Sequence, residues 1–332
     1  MLHPRREPEP TVAELGEHEI LKRLRRFCAD DVGDDGAVRS LPAGARLVVT
    51  TDVLVDGVHF SDRTLPPKAL GWRAAAVNLS DLAAMGATPM GLTIGLTLPP
   101  DTLWVWVEAL YQGFTDCLRQ YGGAIIGGDL CRGSHRSLAI TALGCVPQAL
   151  YRNRAQANQM LVATGVHGAS RAGLAVLLEE LDAPDSFAQT WIKAHQYPIP
   201  RFDAIALLHK LQNFDCIAGM DTSDGLADAV IQICRQSQIG ARLLRSQLPT
   251  PPGLVETVGQ STAEQWTLYG GEDFELVLSL PPDIAEGVIS ELPSSQIIGH
   301  TTSEAKIRLV DDMTNGPDIQ LDQGQGFQHF SN

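Results

Sequence analysis

Two hydrophobic periods alternate along the chain. Over residues 11–28, Leu15, Ile20, Leu21, Leu24 and Phe27 form an apolar stripe at helical spacing. A basic run over 22–26 covers the rest of that helix and reads as a solvated face. Residues 47–51 read as a buried strand with Asp52 at its end, and 53–60 continue extended. An alanine-rich helix is expected over 66–85, stopped by Gly86 in the left-handed region. Residues 90–98 alternate as a strand does and end at Pro99-Pro100. A second long helix follows over 104–121, with Trp104, Val107, Leu110, Phe114 and Leu118 on one face. Strands are expected over 124–126, ended by Gly127-Gly128-Asp129, and over 138–146.

Residues 147–158 are polar and loop-like, a boundary between two halves. Beyond them a strand over 160–164 leads to helices over 171–181, 187–195 and 202–212. A strand ends at Met220-Asp221, and Thr222-Ser223-Asp224-Gly225 opens a helix over 226–237. Strands over 241–244 and 274–280, then a helix and two short strands, complete the chain. This order is not a strict β-α alternation, so the pattern predicts α+β layers and not a doubly wound sheet.

The helix over 66–85 poses the sharpest question. Its alanines imply close packing, yet Asn78 and Asp81 share one face. A carboxylate in such a setting costs several kcal/mol unless a cation meets it. The nearest base in sequence is Arg73, about two helical turns back. Asp81 is therefore either in a structural ion pair or helix-end hydrogen bond, or a metal ligand.

Length and composition narrow the field. A chain of 332 residues suggests two domains, and 44% apolar residues suffice for their cores. No apolar run is long enough to span a membrane, and the first ten residues lack the apolar core of a secretory signal. A cytoplasmic location is expected. The six cysteines show no zinc-ligand spacing and read as reduced, buried small hydrophobes. The net charge of −14 argues against nucleic acid as a partner. It is either simple solubility or, for some aspartates, a divalent-metal site.

Five acidic loops favour the second option for a subset. They are Gly33-Asp34-Asp35-Gly36, Thr50-Thr51-Asp52, Gly127-Gly128-Asp129, Asp221-Thr222-Ser223-Asp224-Gly225 and Gly270-Gly271-Glu272-Asp273. Each alone is ordinary turn chemistry. Together with Asp81, at strand ends, they can converge at one sheet edge, where mutual repulsion calls for cations. Oxygen-only ligands select Mg²⁺ or Ca²⁺. The chain has no phosphate loop ending in Gly-Lys-Ser/Thr, no H-E-x-x-H and no G-x-S-x-G. His59, ending an extended segment, is structural or functional with equal weight.

Taken in order, Gly33-Asp34-Asp35-Gly36-Ala37-Val38, Thr51-Asp52-Val53-Leu54-Val55-Asp56-Gly57-Val58-His59-Phe60, the segment 78–86, Gly127-Gly128-Asp129, the segment 221–226 and Gly271-Glu272-Asp273-Phe274-Glu275-Leu276 resemble the thiamine-monophosphate kinase family. That family sits in a wider ATP-binding superfamily with aminoimidazole ribonucleotide synthetase, and the likeness runs over nearly the whole chain. It implies an α+β fold of two PurM-like domains. The first, residues 1–148, would be ferredoxin-like, bind ATP and Mg²⁺, and pair its sheet across a homodimer. The second, residues 149–332, would complete the nucleotide and substrate site.

The implied reaction is ATP-dependent, Mg²⁺-dependent phosphorylation of thiamine monophosphate to thiamine diphosphate. Carried over by position, Asp35, Thr50, Thr51, Asp52, Asp81, Asp129, Asp221 and Asp224 would hold several metal ions. Of these, Asp35, Asp81, Asp129 and Asp221 would be central to catalysis. Gly128, Asp129, Arg152 and Ser223 would contact ATP, with Arg154 competing for the place of Arg152. His59, Glu272 and Phe327 would contact the thiamine phosphate. The chain departs from the family pattern in having Asp56 for Glu, Arg73 for Lys, and Leu130-Cys131 for a hydroxyl pair. A tryptophan usual before the Gly-aromatic pair of the tail is also missing, which leaves Phe327 as the aromatic partner. Two alternatives stand beside this reading: another enzyme of the superfamily, or a non-catalytic nucleotide-binding protein.

Overall fold

The first half of the chain folds as one sheet covered on one face by two helices. In the computed structural model the described residues are 9–30, 32–210, 214–314 and 316–326. The helix expected over 11–28 is broken in two. Gly16, at φ 74°, closes α1 (Val12–Leu15) and opens α2 (Glu17–Leu24). Then come β1 (Arg46–Val55), α3 (Pro67–Ala84), β2 (Thr88–Leu98), α4 (Trp104–Tyr121), β3 (Ile125–Arg132) and β4 (Ser137–Val146). The sheet order is β1-β4-β2-β3, with β4 antiparallel to both neighbours and β3 parallel to β2. β1-α3-β2 is thus a split βαβ unit with β4 between its strands, whereas α4 links adjacent strands.

One expected boundary moves. Gly127-Gly128-Asp129 does not end the third strand but lies inside β3, where Gly127, Gly128 and Asp129 pair with Thr93, Ile94 and Gly95. Pairing with a neighbouring strand overrides the turn preference of glycine and aspartate.

Alternation divides the strand residues between the two faces of this sheet. Asp52 and Leu54 of β1 point to the helices, as Thr50 does through its bond to Asp81 on α3. Leu47, Val49, Thr51 and Val53 point the other way, and the three aliphatic side chains are about half exposed (47%, 55% and 51%).

Helix α3 has no solvated face. Thirteen of its residues are buried, and Leu70, Leu79 and Leu82 are fully so. Each such leucine contributes about 1.5–3 kcal/mol by leaving water. Glycine allows its close crossing with α4: a Cβ on Gly71 would stand 1.9 Å from the Leu110 carbonyl oxygen, and one on Gly113 would stand 2.0 Å from that of Lys68. The helix ends as the pattern predicts. Gly86 N–H bonds to Ala83 O and Ala87 N–H to Leu82 O, a Schellman closure.

The second half forms a seven-stranded mixed sheet. Its elements are β5 (Met160–Ala163), α5 (Ala169–Leu177), α6 (Asp185–Gln196), α7 (Phe202–Leu208), β6 (Ala218–Asp221), α8 (Leu226–Ser237), β7 (Gly240–Leu244), α9 (Leu254–Val258), α10 (Gln260–Tyr269), β8 (Leu276–Leu280), α11 (Pro282–Glu291), β9 (Gln296–Thr302), β10 (Ile307–Val310) and β11 (Ile319–Gln320). The strand order is β11-β10-β7-β9-β5-β8-β6, so β6 is an edge strand. The C-terminal end of α3 reaches this half: Ala83 and Ala84 share a core cluster with Leu150, Ala204, Phe214 and Leu276. The helix is therefore wedged between the two sheets. Among the described residues no helix is long and apolar enough to cross a membrane.

Candidate active site

The wedge brings aspartates from both halves together. Asp81 lies in the last turn of α3, where the helix macrodipole is negative and a carboxylate is disfavoured. Burial raises its pKa, nearby Asp224 raises it further, and the Thr50 hydroxyl and the Arg152 guanidinium pull it back. Thr50 Oγ1 donates directly to Asp81 Oδ2. Asp221, at the end of the edge strand β6, is 3% exposed. Its carboxylate accepts from Ser80 Oγ at 3.3 Å and from Ser223 Oγ at 3.2 Å. The Ser80 bond crosses between the two halves, one residue away from Asp81.

These carboxylates repel one another. Burial, with Asp81 beside it, pushes Asp221 up to about 7. Asp52 is likewise pushed up to about 7 by burial and by the charges of Asp81 and Asp224. Asp52 Oδ2 is buried and has no hydrogen-bond partner. Four aspartates therefore share one electrostatic neighbourhood, with Arg152 as a cation at its rim. Such a cluster is costly as it stands and fits divalent cations, which bind carboxylate oxygens. Among the described residues, however, no three His, Cys, Asp or Glu side chains are already drawn in to metal-holding distance.

The structure distinguishes Arg152 from Arg154. Arg152 faces Asp81 and Asp221 and donates to Gln232 Oε1 at 2.8 Å. Arg154 pairs instead with Asp215 at 2.7 Å and stacks over Tyr151.

The other expected ligands are placed elsewhere. Thr51 Oγ1 bonds to Thr141 Oγ1 at 2.8 Å on the outer face of the sheet. Its side chain therefore does not join Asp52; strand alternation separates the two neighbours. Asp129 is exposed on that same outer face, two residues before Cys131, whose Sγ lies 3.2 Å from Thr97 Oγ1. Asp35 is also on the outer side. With Gly127, Gly128, Thr93 and Leu143 it lines a cavity of about 500 Å³ between the loop at 32–41 and the sheet. Gly128 packs tightly, since a Cβ there would stand 2.4 Å from Ile94 O. Within one chain the acidic loops thus occupy two faces and do not converge at one edge.

Of the expected substrate residues, Glu272 is tied to the inner site. His59 sits in the turn after β1, and its Nδ1 accepts from Val55 N–H at 3.0 Å, which leaves the proton on Nε2. Glu272 lies in a strained loop: Gly271, Glu272 and Phe274 have φ of 65°, 59° and 53°. A Cβ on Gly271 would come within 2.8 Å of Ser223 O, and Glu272 N–H donates to that same oxygen at 2.7 Å. The Glu272 loop is thereby tied to the Asp221–Asp224 loop. Phe327 lies outside the described residues. The described tail docks on α8 through Gln323, which bonds Asp228 and Arg235, and at Gly326 it passes Asp224.

Two residues escaped the sequence pattern. Ser80 bridges to Asp221, and Arg73 pairs with Glu272. Both were visible as polar residues in an otherwise apolar helix, but their partners lie over a hundred positions away.

Known proteins resemble this chain in sequence and in fold. Residues 33–146 match the family model for AIR synthase related protein, N-terminal domain. The thiamine-monophosphate kinase of Synechococcus elongatus is 47% identical to this chain, over 97% of this chain and 98% of its own. The crystal structure of thiamine-monophosphate kinase from Stenotrophomonas maltophilia K279a superposes with a TM-score of 0.77 at 32% identity, covering 90% of this chain and 96% of its own. A structure of AaThiL complexed with AMPPCP and TMP superposes with a TM-score of 0.74 at 28% identity, covering 92% and 97%.

Proposed function

Since this chain belongs to the thiamine-monophosphate kinase family and phosphorylates thiamine monophosphate with ATP, we propose that Mg²⁺ ions held by its clustered aspartates support direct in-line transfer. The observation that carries this reading is the cross-half contact of Ser80 with Asp221, which sets Asp81 and Asp221 in one repelling acidic neighbourhood.

The acceptor chemistry suits a site without a general base. A phosphate monoester has a second pKa of about 6 and is mostly dianionic near neutrality. The barrier is the approach of one anion to another, so charge neutralisation and alignment do the work. Bound Mg²⁺ would supply the neutralising charge. The chain's own groups orient the reactants. Asp52, Asp81, Asp221 and Asp224, with Thr50, would hold cations on the inner face. Arg152 and Ser223 would take the nucleotide phosphates, and Gly128, on the outer face, would belong with Asp129. His59, Glu272 and Phe327 would hold the thiamine phosphate.

Asp35, Thr51 and Asp129 enter this reading through a homodimer. Leu47, Val49 and Val53 make an apolar outer face that a second sheet can cover. Face-to-face pairing would bring the outer carboxylates of the two chains to their shared interface. The two domains, residues 1–148 and 149–332, and a cytoplasmic setting belong to the same proposal. The test is formation of thiamine diphosphate and ADP from thiamine monophosphate, ATP and Mg²⁺, run with a chirally labelled γ-phosphate. Inversion at phosphorus is expected; net retention or a trapped phosphoprotein would reject in-line transfer.

A further inference from the structure

Arg73 is 1% exposed in the middle of α3. A buried guanidinium is costly unless paired and hydrogen-bonded. All its polar contacts go to the second half of the chain. Nη2 lies 2.6 Å from Glu272 Oε1, Nη1 donates to the His195 carbonyl, and the guanidinium sits 5.4 Å from the centre of the Phe274 ring. Glu272 and Phe274 are the two non-glycine residues of this loop with positive φ. Such backbone costs on the order of 1–3 kcal/mol per residue and persists where the surroundings over-determine it.

The loop is pinned from three sides. Asp273 accepts from Gly168 N–H at 2.7 Å and Ser170 N–H at 2.9 Å, which fixes it to the start of α5. Glu272 N–H is fixed to Ser223. Those bonds hold the backbone but leave the direction of the Glu272 carboxylate open. Arg73 Nη2, buried and without a hydrogen bond of its own, faces that carboxylate as an ion pair, and the Glu272 side chain stays 38% exposed.

We propose that Arg73 is a positioning residue for the phosphoryl acceptor: from the helix that carries Asp81 it aims the Glu272 carboxylate at the cationic thiamine moiety. The inference rests on the reading that Glu272 contacts thiamine monophosphate. A guanidinium that merely held the two halves together would affect both substrates and turnover alike. A positioning residue acts on one substrate and through one partner.

The test is a double-variant cycle in the full chain with Arg73→Met and Glu272→Gln, varying thiamine monophosphate and ATP separately. Methionine keeps an apolar side chain of similar reach in the core but removes the charge. Arg73→Met is expected to raise KM for thiamine monophosphate about tenfold, with kcat and KM for ATP within about twofold. The double variant is expected to be no worse than Glu272→Gln alone, since position 73 then has no carboxylate to aim. Multiplying effects in the double variant, or parallel loss of kcat and both KM values in Arg73→Met, would overturn the proposal. Glu272→Asp, made on the half-exposed partner, withdraws the carboxylate by one methylene without altering the core. It is expected to weaken thiamine monophosphate as Glu272→Gln does, and wild-type KM in this variant would also overturn positioning. If Glu272→Gln itself leaves that KM unchanged, Glu272 is not a substrate ligand and the inference falls with that reading.

Discussion

On the inner face of the four-stranded sheet, Asp52 sits beside Asp81 and Asp224, half-buried with its Oδ2 enclosed and pushed up to about 7. On the outer face, Asp129 is exposed in β3, and Asp35 lines a cavity over the same face. Apart from Asp81 on the alanine-rich helix, these residues come from similar glycine- or threonine-rich acidic segments. The difference is context. Asp52, Asp81 and Asp221 are crowded by α3 and by the edge strand of the other sheet, so burial and neighbouring carboxylates raise the cost of ionising them, while Asp224 stays exposed beside them. The outer aspartates meet solvent on a sheet face whose aliphatic residues are half exposed. Local sequence chemistry alone therefore does not make a site. Burial against a second element does.

The largest effect is expected from breaking the inner cluster. Asp81→Asn and Asp221→Asn should each lower kcat about 100-fold or more while the circular dichroism spectrum is kept. Near-wild-type turnover in either variant would remove the inner face from the chemistry.

The outer face can be tested by complementation. Asp81→Asn and Asp129→Asn chains, each inactive alone, should recover about a quarter of wild-type activity after mixing and exchange if each site takes its outer carboxylate from a partner. With random pairing half the dimers are mixed, and one of their two sites is intact. No recovery, with mixed dimers verified by mass, would confine each site to one chain and dissolve the functional contrast between the faces.

A smaller effect concerns stability. Asp52→Asn should raise the unfolding midpoint of the metal-free protein by a few degrees, because it removes a buried, repelled carboxylate. The sign with pH follows from its raised value. Between about 4 and 7 the folded chain holds a proton that the unfolded chain has lost, so wild-type stability falls as pH rises through that window. The advantage of the asparagine variant should therefore be small at pH 4.5, grow towards pH 7 and level off above it. Added Mg²⁺ should narrow it. A pH-independent difference would count against mutual repulsion at Asp52.

Much of the fold was legible in the chain. The helix bounds at α3, α4 and α8 match those expected closely, because an alanine-rich run with a glycine stop at α3 and a long apolar stripe at α4 leave little choice. The break at Gly16 and the run of β3 through Gly127-Gly128-Asp129 were not legible. The first depends on how a short helix docks, and the second on a neighbouring strand that supplies hydrogen-bond partners. For the site, the residue types were legible and their grouping was not. Thr50 and Thr51 look interchangeable in sequence, yet one bonds Asp81 and the other bonds Thr141 on the opposite face.

The sequence by itself determined the α+β layering, the alanine-rich helix with its polar residues at 78, 80 and 81, and the acidic loops that mark the family. These depend on periodicity and local backbone chemistry, which act over a few residues. Only the tertiary structure decided that Arg73 serves Glu272 and not Asp81, that Ser80 reaches Asp221, and that Asp52 and Asp129 face opposite ways. Those outcomes depend on which surfaces are buried together, and burial sets the cost of a charge far more strongly than its neighbours in the chain do.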